Sequence, residues 1–262
     1  MCGRFVLYAT EDDMATALLD ITGRVLYPFG MPPERYNIAP TTPIPIITRH
    51  STLRAHTPSE YHATLPQGDD AGAAHPDELV VVPARWGLIP RWATDVPTYS
   101  TFNARVETAA TKPTFRGAWR EQRALIPMNA YYEWHDKQPY LIRQAGTMLF
   151  AAALFDTGCA RLSTTMVTGP AEGALAAVHH RMPLFVEGPA ARAWLDGEDD
   201  VPRAHVPAVT ISPVDRAVGS VAHQGPHLID PNGPPLDTTQ RAGADAPAGA
   251  PGHAGEEQQT LL

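Results

Sequence analysis

Residues 125–168 read LIPMNAYYEWHDKQPYLIRQAGTMLFAAALFDTGCARLSTTMVT, and this stretch decides the fold class. Runs rich in Leu, Ile, Tyr, Phe and Thr alternate with turn-forming residues, the pattern of short strands joined by tight connections. It predicts strands from Leu125 to Trp134, Tyr140 to Arg143, Thr147 to Phe155 and Arg161 to Thr168. Working outward, Arg4 to Tyr8 is a first strand. Thr10 then caps a helix with Asp13 as its capping-box partner. Met14, Ala17, Leu18 and Ile21 form that helix's apolar face, and Gly23 ends it. Asn37 to Pro40 reads as a loop running into a proline-bearing edge strand over residues 43–47. Leu79 to Val82 is a further β-rich run. Pro113 suits the first position of a helix reaching Gln122. Short helices are expected from Ala171 to Val178 and from Pro189 to Asp196, with a last strand from Val206 to Ser212.

Two segments lack periodicity. Residues 51–77 read as an exposed insertion loop, longer than a compact domain needs. Beyond about Pro234 the chain is Ala, Gly, Pro, Gln and acid, the composition of a disordered tail. The expected division is one domain over residues 1–235 and a tail over 236–262.

The chain has 262 residues, is 44% apolar and 18% charged, and carries a net charge of −8. That is a globular composition with room for a substantial core, and it argues against a generally basic nucleic-acid binder. The charge is uneven, however. Between Val81 and Arg123 seven basic residues face three acidic ones, so this window is +4 and the remainder −12. Such a local basic face is what phosphate contacts require. There are only two cysteines, Cys2 and Cys159, which rules out a disulfide framework and a cysteine-based zinc site. The apolar run from Met148 to Phe155 is too short for a bilayer span, and nothing apolar precedes Cys2. The expectation is a soluble protein of a reducing compartment.

Cys2 follows Met1 directly. Once Met1 is removed, Cys2 carries a free amine and a free thiol on adjacent carbons, with reference pKa values of about 7.7–8.0 and about 8.5. That pair condenses with an aldehyde to an imine, which the thiol closes to a thiazolidine. Alternatively, the amine serves as base for the thiol, as in N-terminal nucleophile hydrolases. Glu133 sits in Tyr131-Tyr132-Glu133-Trp134; a carboxylate among aromatics is desolvated and suits acid–base work, although an edge-strand Glu facing water has the same local sequence. Trp86 and Trp92, punctuated by Gly and Pro, fit either core packing around a turn or a stacking platform for bases. His179 and His180 are adjacent, so their rings are expected to point in different directions. His50, His56 and His62, six apart, fit neither a strand face nor a helix face for a metal.

Six motifs occur in a fixed order: Met1-Cys2-Gly3-Arg4-Phe5, Asn37 to Pro40, Trp86-Gly87-Leu88-Ile89-Pro90, Asn103-Ala104-Arg105, Tyr132-Glu133-Trp134 and His179-x-Arg181-Met182-Pro183. Together they resemble the SRAP family of SOS-response-associated peptidases, or abasic-site processing proteins, over roughly residues 2–233. The resemblance implies a single α+β domain, a mixed, barrel-like β core flanked by short helices. It implies a partner, single-stranded DNA with abasic sites, and covalent coupling through Cys2 after loss of Met1. It implies an autoprocessing peptidase step and lyase character. It also implies no cofactor, no metal and no membrane, a monomer, and a cytoplasmic, nucleoid-associated location.

Carried over by motif, Cys2 matches the nucleophile and Asn103 the residue orienting it and the sugar. Glu133 matches the acid/base beside the amine, and His179 the proton donor to the sugar oxygen. Arg4, Arg105 and Arg116 resemble phosphate contacts; Pro40, Trp86 and Trp134 resemble walls for the flanking bases. The chain departs from the family pattern at His180, where Asp is usual, at Val106, and at Asp215, His223 and Gln224. The alternative function is an N-terminal-nucleophile thiol peptidase or amidase. A plain single-strand binder, indifferent to Cys2, is a third.

Overall fold

The computed structural model describes residues 2–21, 24–57, 78–198 and 208–236. Gly23, the greater part of the 51–77 segment and all but the first residue of the 236–262 tail lie outside the described residues. In chain order the strands are β1 (Arg4–Leu7), β2 (Val25–Leu26), β3 (Arg35–Ile38), β4 (Pro43–Arg49), β5 (Leu79–Trp86), β6 (Asn103–Arg105), β7 (Arg123–Met128), β8 (Ala130–His135), β9 (Gln138–Gln144), β10 (Leu149–Gly158), β11 (Arg161–Pro170), β12 (Arg181–Pro183) and β13 (Val209–Pro213). The helices are α1 (Glu11–Leu18), α2 (His50–His56), α3 (Val106–Ala109), α4 (Arg116–Glu121) and α5 (Gly188–Leu195). The architecture is α+β.

The larger sheet runs β12-β11-β10-β7-β4-β5-β2, and β11 also pairs with β5. That extra pairing closes β11, β10, β7, β4 and β5 into a five-stranded ring. The ring is mixed, because β5 and β11 are parallel while its other pairings are antiparallel. A second sheet, β13-β9-β8-β1-β3, lies beside it. Its residues alternate cleanly, as the two-residue period of a strand requires. Phe5, Leu7, Tyr131 and Ile142 join the main core, while Val6, Ala130, Tyr132 and Leu141 pack on the other face with Val214, Val218 and Leu228.

The stretch from Leu125 to Trp134, which reads as one strand, is two. The chain breaks at Asn129 and passes from the ring (β7) to the second sheet (β8). Asn129 supports the crossing with both its backbone and its side chain: its N–H donates to Val6 O at 2.9 Å, and its Oδ1 accepts from Tyr8 N at 2.7 Å. The proline-bearing β4 is interior rather than an edge, lying between β7 and β5. The prolines are tolerated by register. Pro43 faces Arg85, Pro45 faces Pro83, and β4 meets β7 only at Ile47. Trp86 N donates to Thr42 O, so counting in twos places Pro43 and Pro45 at positions whose N–H groups are not needed by the ladder.

The capping box of α1 forms as expected. The Pro189–Asp196 helix forms as α5, one residue earlier, while two others are shorter than read. Lys112–Phe115 is a turn and α4 begins only at Arg116, while the expected Ala171–Val178 helix is a tight 3-10 turn over Gly173–Ala177. Conversely, α2 occupies the start of the segment read as a loop, burying His50 and Leu53.

The loop after β5 is held by a close backbone approach. Gly158 N donates to Ile89 O at 3.0 Å, and a Cβ at Gly158 would sit 2.4 Å from Pro90 O and 2.6 Å from Ile89 O. Gly158→Ala is therefore expected to destabilise the fold by about 1–3 kcal/mol, read as a lowered urea midpoint at unchanged slope.

Candidate active site

Two strand neighbourhoods converge on the N-terminus. The first is the β1–β8 pairing, with Arg4 opposite Tyr132 and Phe5 opposite Tyr131. Glu133 follows these on β8, on the side toward Cys2. The second is the distal half of β11, which carries β6 on one edge (Met166 beside Asn103) and β12 on the other (Pro170 beside Arg181). Residues that are far apart in sequence are thereby placed around one end of β11.

Asn103 is tied directly to Cys2: its Nδ2 donates to the Cys2 carbonyl at 2.8 Å. Its Oδ1 is buried and, among the described residues, has no hydrogen-bond partner. An unsatisfied buried amide oxygen beside a nucleophile is set to accept from a donor that arrives there.

Cys2 is fully buried, with Sγ 3.8 Å from Arg4 O. Burial pushes its thiol well above the ordinary range, and the Glu133 charge pushes it further. Glu133 is itself only 4% exposed. Burial raises its carboxyl pKa, and the positive charge of the chain terminus acts against that rise. Tyr131, which the motif reading does not single out, belongs to the same group. Its phenol is raised by burial first and then by Cys2 and Glu133. The signal for it was its place two residues before Glu133, on the same face of β8.

His179 is half-buried. Arg181 N donates to its Nδ1 at 2.9 Å, and Arg181 O lies 3.2 Å from the same nitrogen. The neutral ring thus accepts at Nδ1 and carries its proton on Nε2, while the charged ring donates from Nδ1 to the carbonyl. Burial lowers its pKa, with the charges of the chain terminus, His180 and Arg181 acting in the same sense. The rings of His179 and His180 do not diverge. They stack, with centroids 4.2 Å apart and planes 28° apart, because the 3-10 turn ends here and imposes neither helical nor strand alternation.

Arg181, found in sequence only as part of a motif, is held by Glu107 through both nitrogens of its fork, at 2.5 and 3.0 Å. It also donates to Thr168 O.

The expected DNA contacts divide. Arg105 and Arg116 are exposed, and among the described residues neither side chain is hydrogen-bonded. Arg4 is turned inward. Its guanidinium donates to Asn37 Oδ1 at 2.7 Å, Val218 O at 2.6 Å and Gly219 O at 3.1 Å, clamping the C-terminal segment. Pro40 and Trp134 are half-buried, Trp134 against the second core. Trp86 is wholly buried. It packs edge-on against Phe5 at 5.2 Å and Phe102 at 5.8 Å, and its Nε1 donates to Phe102 O. It is a core residue, not an open wall. The solvent-exposed tryptophan is Trp92, at 61%.

Among the described residues, no group of three or more His, Cys, Asp or Glu is placed to hold a metal, and no helix is long and apolar enough to cross a membrane.

Comparison with known proteins places this arrangement. The chain is 32% identical over 249 residues to the abasic site processing protein YedK of Escherichia coli, covering 88% of this chain and all of that one. It is 28% identical to abasic site processing protein HMCES of Gallus gallus, covering 60% of this chain and 59% of that one. A crystal structure from Bordetella bronchiseptica shares the fold, with a TM-score of 0.63 at 22% identity over 82% of this chain and all of that one. The family profile of the SOS response associated peptidases matches residues 1–221. The chain belongs to the SOS response associated peptidase (SRAP) family.

Proposed function

We propose that the protein captures abasic sites in single-stranded DNA, joining the open-chain sugar to Cys2 as a thiazolidine once Met1 is lost. The observation that carries this reading is the Asn103–Cys2 bond, which fixes the second residue of the chain beside the buried carboxyl of Glu133. The names of the relatives, as abasic site processing proteins, support it.

The environment sets the order of steps. A buried thiol held in its protonated form is a poor first nucleophile, so the Cys2 amine attacks the aldehyde first. The carbinolamine loses water to give the imine, with Glu133 taking a proton from the amine and returning one to the departing hydroxyl. The thiol then adds across the C=N bond, sulfur to carbon and its proton to nitrogen. His179, in its charged form, is assigned the protonation of the ring oxygen that opens the sugar; it becomes neutral as the anomeric hydroxyl gives up its proton to solvent and the aldehyde forms. Asn103 Oδ1 accepts from the processed amine or a sugar hydroxyl. An imine would promote β-elimination and strand scission; ring closure removes that electron sink, so lyase character is suppressed and the strand is protected. Removal of Met1 is an autoprocessing or host maturation step that precedes all of this.

Mass spectrometry of the proteolysed adduct tests the assignment. The sugar remnant is expected on a peptide beginning at Cys2, one water lighter than its two parts. A remnant on any lysine, or on a peptide retaining Met1, would overturn it.

A further inference from the structure

His179 does not stand alone. The His180 ring lies face to face with it, centroids 4.2 Å apart and planes 28° apart, and His180 is exposed where His179 is half-buried. The backbone fixes both residues. His179 N donates to Leu175 O at 3.2 Å, and Ala171 N donates to His180 O at 3.0 Å. Arg181 N donates to His179 Nδ1 at 2.9 Å, so the inner ring is held at its edge as well as on its face. Among the described residues the His180 imidazole makes no hydrogen bond or ion pair, and its ring contact is His179.

Two imidazolium rings at that separation repel, so charging either one opposes charging the other and the pair takes up its protons in turn. The bias within the pair follows from the surroundings. A charged ring costs more to bury than to leave in water, which puts the first proton on the exposed His180. Burial lowers the His179 pKa, and the chain terminus, His180 and Arg181 lower it further. Those three are the charges facing the inner ring, and that of Arg181 is met by Glu107. The carbonyl of Arg181, 3.2 Å from Nδ1, acts the other way.

We propose that His180 is a positioning residue acting through His179: stacked on that ring, it takes the first proton of the pair and so decides how often the sugar-opening donor is charged. This rests on the abasic-site reading, in which charged His179 protonates the ring oxygen, and it adds a control on that step from outside the reacting groups.

The first test needs no DNA. Full-length wild type, His180→Asn and His180→Asp are titrated by NMR of the imidazole Cε1–H groups, with His179 assigned by the signal lost in His179→Asn. In the wild type the His179 signal is expected to move in two steps, one of them following His180. In His180→Asn it should move in one step centred at higher pH, and in His180→Asp at higher pH still, since a neutral group and then an opposite charge replace a like one. His180 is exposed, so both variants are expected to keep the fold. A His179 titration identical in all three proteins would overturn the proposal.

The second test is the rate of adduct formation against pH, with single-stranded DNA bearing one abasic site. His179 must be charged to act, so the rate falls as pH rises through its titration. That fall should move upward in pH in the order wild type, His180→Asn, His180→Asp. At about pH 8, His180→Asp is expected to react about threefold faster than wild type, about tenfold more charged His179 being partly offset by its weaker acidity. Rates scaled equally at every pH would mark a structural role and overturn the proposal, as would unmoved rates in variants whose titrations moved. If the wild type forms no adduct at any pH, the abasic-site reading fails, and the order of protonation is decided by the titration alone.

Discussion

Replacing Glu133 by Gln is expected to slow adduct formation by about 10²- to 10⁴-fold, the range for removing a positioned acid–base group, while DNA affinity is kept. The carboxyl is buried beside Cys2, with Asn103 fixing the Cys2 carbonyl. The expectation extends to pH. Burial raises the Glu133 pKa, and the ionised form must take the amine's proton. The wild-type rate therefore climbs as pH rises through that raised value, and Glu133→Gln lacks this limb.

The same shift has a stability consequence of opposite sign. The folded pKa lies above the unfolded one, so the folded state binds more protons between the two values, and stability falls as pH rises across that window. Glu133→Gln removes this loss. The variant should melt above the wild type at pH values beyond the window and alongside it below. A variant slower in reaction yet more stable near neutrality is the combined signature, read by quench-flow gels and thermal melts on the same preparations. Equal melting of the two proteins at every pH would show that Glu133 is not desolvated.

Trp86→Ala is the second large effect, and it is a loss of stability. The ring is fully buried, wedged edge-on between Phe5 and Phe102, with its indole N–H satisfied by Phe102 O. Truncation removes that burial and orphans a carbonyl, so a loss of about 3–5 kcal/mol is expected, measured by urea unfolding. Trp86→Phe should recover much of it and bind single-stranded DNA as the wild type does. If Trp86→Ala instead kept its stability and lost DNA affinity, Trp86 would be an open wall, as its motif suggests.

Much of the ring was legible because strands write their period locally. β10 and β11 of the ring, and β9 of the second sheet, fall where the turn residues of 125–168 place them. What failed were features decided by distant partners. Nothing between Leu125 and Trp134 announces the change of sheet at Asn129, because β7 and β8 are equally apolar. The prolines of β4 read as an edge, and only its register on β5 and its single meeting with β7 show how an interior strand accommodates them. Arg4 reads as a phosphate contact, yet its guanidinium is claimed by carbonyls at Val218 and Gly219, more than two hundred residues on. Trp86 and Trp92 share Gly- and Pro-rich surroundings; which of them is buried depends on how β5 docks along β11. The motif reading of Cys2, Asn103, Glu133 and His179 carried further, since it named the residues that two separate strand neighbourhoods bring toward one another. It passed over Tyr131, and it named Arg181 only within a motif, without its partner Glu107.

The most direct test of the covalent account is a denaturing gel. Purified protein, with loss of Met1 verified by mass, is incubated with single-stranded DNA bearing one abasic site, beside Cys2→Ala. A heat-stable, slowly migrating adduct with the wild type and none with Cys2→Ala is the predicted result. No adduct from correctly processed protein, or an equal adduct from Cys2→Ala, would contradict the account.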